Sequence, residues 1–302
     1  MGIAEAQLET WSNQGATVSA QAAHEAVRLA LNSSESPLVL NDIGFEIYLQ
    51  GSYRNSTNIR GNSDVDVVVQ LNSSYQRDIS GLTLSEQQLY KSTVKSASYG
   101  WPDFRVDVLS ALRSYFGWEN VTDADKCLKL PSGPGRVAAD VVPCIQYRRY
   151  RSFSTWEQDD YVEGMKFYTR SDNREVINYP KVHYKNGADK NQNRTGQWYK
   201  PTTRMFKNAR DKMIELEQLE DGLAPSYFLE CLLYNVPNSL FGDTYQITYL
   251  KIIRWLLDAK LETFTCQNEQ LPLFGETPEQ WSTAKATVLI SALALLWSQW
   301  SQ

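Results

Sequence analysis

Residues 51–71 read Gly-Ser-Tyr-Arg-Asn-Ser-Thr-Asn-Ile-Arg-Gly-Asn-Ser-Asp-Val-Asp-Val-Val-Val-Gln-Leu, and they constrain the chain more than any other stretch. Strand side chains alternate between faces, so Asp64 and Asp66 point to one side and Val65, Val67, Val69 and Leu71 to the other. Two neighbouring carboxylates repel unless a cation sits between them. At the other end, Gly51 lets backbone amides approach an anion and Ser52 offers a hydroxyl to a phosphate oxygen. Phosphate at one end and a divalent metal at the other implies a nucleoside triphosphate with its magnesium. A bare Asp-x-Asp is usually a solvated loop; Gly-Ser followed by Asp-x-Asp in a valine-rich strand is far more specific.

The rest of the composition narrows the class. The 302 residues, 42% hydrophobic and 12% aromatic, suffice for one large or two medium domains with a sizeable core. A net charge of −5 disfavours a protein that coats long nucleic acid, yet leaves room for a local basic pocket. Cys127, Cys144, Cys231 and Cys266 are scattered without a Cys-x-x-Cys, which fits reduced thiols in the cytoplasm. Two histidines, His24 and His183, give little support to a zinc site or a Ser-His-Asp triad. The N-terminus carries no signal-peptide pattern, and the least polar run, Ala286–Trp297, is too short to span a bilayer, so a soluble protein is expected.

Residues 4–32 read as helix interrupted at Gly15, and Phe45–Leu49 as a first strand delivering the chain to Gly51. The second strand is expected over 64–71. Thr83-Leu84-Ser85-Glu86 is a capping box opening a helix to about Ala97; Pro102 opens another that Gly117 stops. That helical period places Asp107 on a polar face with Asp103, Ser110 and Ser114, a solvated position and not a catalytic one. Strands are expected at 126–130 and 136–147. The second contains Asp140 within Val-Ala-Ala-Asp-Val-Val-Pro, where a lone acid costs stability unless something neutralises it. A metal shared with Asp64 and Asp66 would do so; a strand-end aspartate capping backbone amides is the bland alternative.

Beyond it, Gly164–Tyr168 and Glu175–Tyr179 form a hairpin around Ser171-Asp172-Asn173. From Lys181 to Lys212 nine Lys or Arg stand against two Asp, which suggests a phosphate-facing wall. Lys200, Arg204 and Lys207 recur at helical spacing, while Met205, Ala209 and Met213 form a core stripe. Such a basic stripe is often just a solvated helix face. Tyr147, Tyr168, Tyr179 and Trp198 are candidates for base stacking, each as easily core, and Asn178 and Asn186 can reach a base edge. Residues 225–302 are helical by pattern.

These motifs resemble the polymerase-beta-like nucleotidyltransferases. Leu49-Gln50-Gly51-Ser52-Tyr53 through Ser63-Asp64-Val65-Asp66 is close to the bacterial CD-NTases, the cyclic-oligonucleotide synthases related to cyclic GMP-AMP synthase. In that family a third acid arrives on a strand followed by Val-Val-Pro, which carries over to Asp140. The segment Thr-Gly-x-x-Tyr-Lys-x-x-x-Arg resembles the one that grips the triphosphate from a second lobe, which carries over to Lys200 and Arg204. The resemblance implies an α+β, bilobed fold: a nucleotidyltransferase core with a mixed sheet over 1–200, including a bracing N-terminal helix, a helical lobe over 201–302, and the active site in the cleft between.

It also implies two-metal catalysis, with Asp64, Asp66 and Asp140 as catalytic ligands of two Mg2+ ions (or Mn2+) and Gly51 and Ser52 on the β- and γ-phosphates. The expected substrates are ATP, GTP, UTP or CTP, the product a cyclic di- or trinucleotide, and the setting bacterial anti-phage (CBASS) signalling. An effector would then meet this protein only through the product. A monomer is expected, with neither membrane nor nucleic acid as partner. The alternatives are a nucleotidyltransferase acting on tRNA, protein or a small molecule, and a catalytically silent nucleotide-binding regulator.

Overall fold

The valine-rich run that follows Asp66 is the second strand of a mixed sheet. The computed structural model describes residues 2–59, 64–155 and 158–300; residues 60–63, inside the opening signature, lie outside them. In chain order the first elements are α1 (Glu5–Ser12), α2 (Val18–Leu31), α3 (Pro37–Leu40), β1 (Phe45–Leu49), α4 (Gly51–Asn55) and β2 (Val65–Asp78). Next come α5 (Leu84–Thr93), α6 (Trp101–Phe116), β3 (Thr122–Asp123), β4 (Leu128–Leu130), β5 (Ala139–Ser152), β6 (Asp160–Tyr168) and β7 (Glu175–Asn178). The remainder is helical: α7 (Pro180–Asp189), α8 (Tyr199–Glu215), α9 (Ser226–Tyr234), α10 (Tyr245–Asp258) and α11 (Thr283–Gln299).

The chain divides into two units. Residues 17–50 and 62–181 form one, residues 1–16, 51–61 and 182–302 the other. In the sheet unit the order is β1-β2-β5-β4-β3, with β6 on the far part of β5 and β7 on β6. β1 and β2 are antiparallel, and β2 and β5 are parallel. Val65, Val67, Val69 and Leu71 are fully buried on the face that α2 covers. The opposite face also closes: Val68, Val142 and Cys144 pack with Met165, Phe167 and Val176. Burial on both sides explains why the run reads as nearly continuous valine. The capping box forms, Thr83 accepting from the Glu86 amide and Glu86 from the Thr83 amide, but its helix ends at Thr93. Gly117 terminates α6 at φ 98°.

The helical unit holds its own core. Met205, Ala209 and Met213 of α8 are fully buried against Leu229, Leu232, Tyr249, Ile252, Leu289 and Leu293. Ile3 and Leu8 join that core, since α1 packs on α8 and α10.

The α+β expectation holds. By contacts the chain divides at residue 182, where the sequence reading placed the boundary at 200, and His183 and Asn186 hydrogen-bond to Glu230 and Gln267 of the helical unit. The N-terminal helix is two helices, α1 built into the helical unit and α2 onto the sheet. Residues 51–61, expected within the core, also group with the helices. Among the described residues no helix is long and apolar enough to cross a membrane.

Candidate active site

β2 and β5 run parallel and start level with one another, and this brings two of the predicted acids together. Asp66 and Asp140 are register partners, so their half-buried side chains stand side by side on one face. Val68 and Val142, two residues further along, seal the apolar layer beneath them. Asp64 lies two residues before Asp66, is exposed, and just precedes the strand.

A cation neighbours the pair. Lys129, the β4 register partner of Asp140, places its ammonium 3.8 Å from that carboxylate, more than half exposed. The Cys127 thiol is pushed up to about 12 by burial and by its hydrogen bond to Asp140. Among the described residues no three His, Cys, Asp or Glu side chains converge enough to hold a metal by themselves. Two carboxylates in register with a third upstream is an all-oxygen set of the kind magnesium takes when phosphate oxygens and waters complete its shell. The residues present therefore fit the ion.

The predicted phosphate-binding residues gather in the helical unit. Gly51 adopts φ 65°, a left-handed conformation that favours glycine, and Ser52 follows it in α4, half-buried. Arg54 of the same helix stacks its guanidinium 4.0 Å from the Tyr184 ring centre, and the Lys200 ammonium approaches that ring at 5.6 Å. Burial holds Lys200 below the usual lysine range; Glu230 opposes this, and repulsion from Arg204 and Arg54 adds to it. Cations crowded in this way are relieved by an anion. Arg54 and Tyr184 escaped the sequence reading, although Arg54 stands two residues from Ser52 in the opening signature.

The basic wall dissolves on inspection of its partners. Lys181 pairs with Glu46 and Glu163, Arg194 with Asp189, Arg210 with Asp211 and Lys212 with Glu215. Lys190 is buried, donates to the Val236 carbonyl at 2.7 Å, and is pushed down to about 8 by desolvation. Arg204 donates to the carbonyls of Ser12 (2.5 Å) and Ser56 (2.6 Å), so it braces the chain that carries Ser52. Lys207 is 1% exposed and paired with Glu230. Of the nine, Lys185 is exposed, while Lys200 lies beside Arg54 across the Tyr184 ring.

The proposed base-reading groups disperse. Asn178, at the end of β7, accepts from the Tyr179 amide, and Asn186 donates to the Gln267 carbonyl at 2.9 Å. Tyr147 and Tyr179 are buried edge-to-face, Tyr168 packs on Trp101, and Trp198 on Tyr245. All four aromatics are packed into the fold. Asp107, on α6, accepts from the Tyr99 hydroxyl at 2.7 Å, away from the paired acids in the sheet register.

Comparison with known proteins bears on this arrangement. The family model for the cGAS/DncV-like nucleotidyltransferase C-terminal helical domain matches residues 185–298, and that for a nucleotidyltransferase domain matches residues 36–126. The cyclic UMP-AMP synthase of Rhodothermus marinus is 52% identical over 302 residues, the full length of both chains. The chain belongs to the cGAS/DncV-like nucleotidyltransferases. Another full-length relative of this nucleotidyltransferase, cyclic nucleotide synthase CdnE01 of Staphylococcus haemolyticus, is 40% identical over 99% of this chain and 100% of its own. Among solved structures, the Rhodothermus marinus CdnE c-UMP-AMP synthase with Apcpp and Upnpp superposes with a TM-score of 0.89, at 51% identity, over 99% of this chain and 98% of that one. The Elizabethkingia meningoseptica CdnE cyclic dinucleotide synthase with GTP and Apcpp gives 0.75, at 30% identity, over 96% and 97%. The mixed sheet with its helices is accordingly a polymerase-beta-like nucleotidyltransferase core, and α8 to α11 belong to the family's helical domain.

Proposed function

We propose that this nucleotidyltransferase condenses nucleoside triphosphates into a cyclic dinucleotide, releasing pyrophosphate at each step. The register pairing of Asp66 with Asp140 on parallel strands, two residues beyond Asp64, supports nucleotidyl transfer, and the end-to-end identity of 52% to a cyclic UMP-AMP synthase supports ring closure. Asp64 and Asp66 would hold two magnesium ions, or manganese in their place, and Asp140 the one nearer the attacking hydroxyl. Bound there, divalent ions supply Lewis acidity that lowers the hydroxyl's pKa and offsets charge on the leaving pyrophosphate. Gly51 and Ser52 take the β- and γ-phosphates, Lys200 balances their charge, and Arg204 orients the segment instead of touching the nucleotide.

UTP and ATP are the substrates we favour, because the relative that is 52% identical end to end is a cyclic UMP-AMP synthase. Other relatives, at 35% and 32%, carry the names cyclic dipurine and cyclic dipyrimidine synthase, so base choice varies within this family. The setting we propose is the bacterial cytoplasm, consistent with four free, buried cysteines, with the product acting on an effector in anti-phage defence. Pyrophosphate release tests the substrate assignment. UTP and ATP together should turn over faster than either alone; equal or faster release with GTP and CTP would overturn it.

A further inference from the structure

Glu230 of α9 is 3% exposed, and four groups converge on its carboxylate. Thr57 Oγ1 donates to it at 2.5 Å and Asn55 Nδ2 at 3.3 Å; the Lys207 ammonium pairs with it, and His183 Nε2 lies at 3.4 Å. Burial pushes this carboxyl up, but Lys207 and His183 outweigh it and hold the group well below the usual carboxylate range, so it is charged. Lys207 donates also to the Thr57 carbonyl at 3.1 Å. The Thr57 amide in turn donates to the Ser52 carbonyl at 2.9 Å. One buried ion pair thus grips both the side chain and the backbone of a residue bonded directly to Ser52. Next to it, Arg204 holds the carbonyl of Ser56, whose φ of 57° is left-handed without being glycine.

A buried ion pair is weak evidence for stability, since packed apolar residues of similar size often serve the fold as well. What it offers is directional fixing of a particular backbone. We propose that the Glu230–Lys207 pair is the positioning centre of the Gly51–Thr57 segment, setting nucleotide affinity through Thr57 and Ser52 without touching the nucleotide. This rests on the assignment of Gly51 and Ser52 to the phosphates.

The test compares Ser52→Ala, Thr57→Val and the charge-neutral double variant Glu230→Leu/Lys207→Met with wild type, by KM and kcat from pyrophosphate release with UTP and ATP, and by melting temperature. The double variant should raise KM about tenfold while kcat stays within about threefold, as for groups that orient a binding residue. Thr57→Val, which removes one hydroxyl and leaves the ion pair, should raise KM in the same direction, with a melting temperature lowered only by the loss of one buried hydrogen bond. If the double variant does not fold, Thr57→Val decides. A purely structural role would lower the active fraction, hence kcat, and leave KM alone. KM within twofold of wild type in the folded variants, with Ser52→Ala raising it, overturns the positioning role. KM unchanged in Ser52→Ala overturns the phosphate assignment instead.

Discussion

At the scale of single residues, the proposed chemistry rests most on two carboxylates and one lysine. Asp66 and Asp140 are drawn side by side by strand register, and Lys129, 3.8 Å from Asp140 and largely in water, offsets that carboxylate only weakly. Replacing Asp64 and Asp66 together by Ala should cut product formation by at least about 100-fold, since losing even a supporting partner of a metal site costs 10–100-fold. Rate measurements under saturating magnesium check this. Lys200 yields a pH prediction. Its folded pKa is depressed, by burial first, and only its cationic form attracts phosphate. KM for nucleotide should therefore rise on the alkaline side, starting below the value of about 10.4 that free lysine shows. Lys200→Arg should move that limb upward, and Lys200→Ala should raise KM at every pH; a pH profile of KM reads all three. Glu230 works in the opposite direction. Its carboxyl is held low, so the stability it contributes is present above the unfolded value of about 4.3 and lost as pH falls from there. Acid melts of wild type and Glu230→Leu/Lys207→Met should converge as the pH drops; a constant gap would contradict the assignment.

At the scale of elements, local signals were legible and long-range ones were not. β1 was readable to the residue because Phe45–Leu49 alternates and ends at a turn. The hairpin of β6 and β7 was readable because Asn173, at φ 53°, sits in a turn that Asn tolerates. The second half of β2 was missed, since Asn72 to Asp78 is polar and its register shifts between Leu71 and Tyr75. The basic wall failed for a different reason. Counting Lys and Arg along the chain says nothing of partners far away in sequence, and Lys207 finds its own in Glu230 while Lys181 finds Glu46. The sharp end of α6 supplies a stability prediction. Gly117 holds φ 98°, and an added Cβ would meet Asn120 Nδ2 at 3.0 Å. Gly117→Ala should cost about 1–3 kcal/mol of stability with kcat unchanged, by denaturant melts alongside the pyrophosphate assay.

At the scale of the whole molecule, the carboxylates and the residues proposed to bind phosphate belong to different structural units, which the sequence could not announce. Asp64, Asp66 and Asp140 belong to the sheet unit, whereas Gly51, Ser52, Arg54 and Lys200 group with the helices. The fold class was legible because its signature motifs are short and local; the division was not, because α1 and residues 51–61 join the helical unit through contacts distant in sequence. The central claim is that this chain joins nucleotides to one another in a ring. The most direct measurement is mass spectrometry of the product made from the four nucleoside triphosphates with magnesium, after phosphatase treatment. The account predicts a phosphatase-resistant cyclic dinucleotide containing uridine and adenosine, absent from the Asp64→Ala/Asp66→Ala variant. No resistant nucleotide with any base combination, together with transfer of label to an added tRNA or protein, would contradict it.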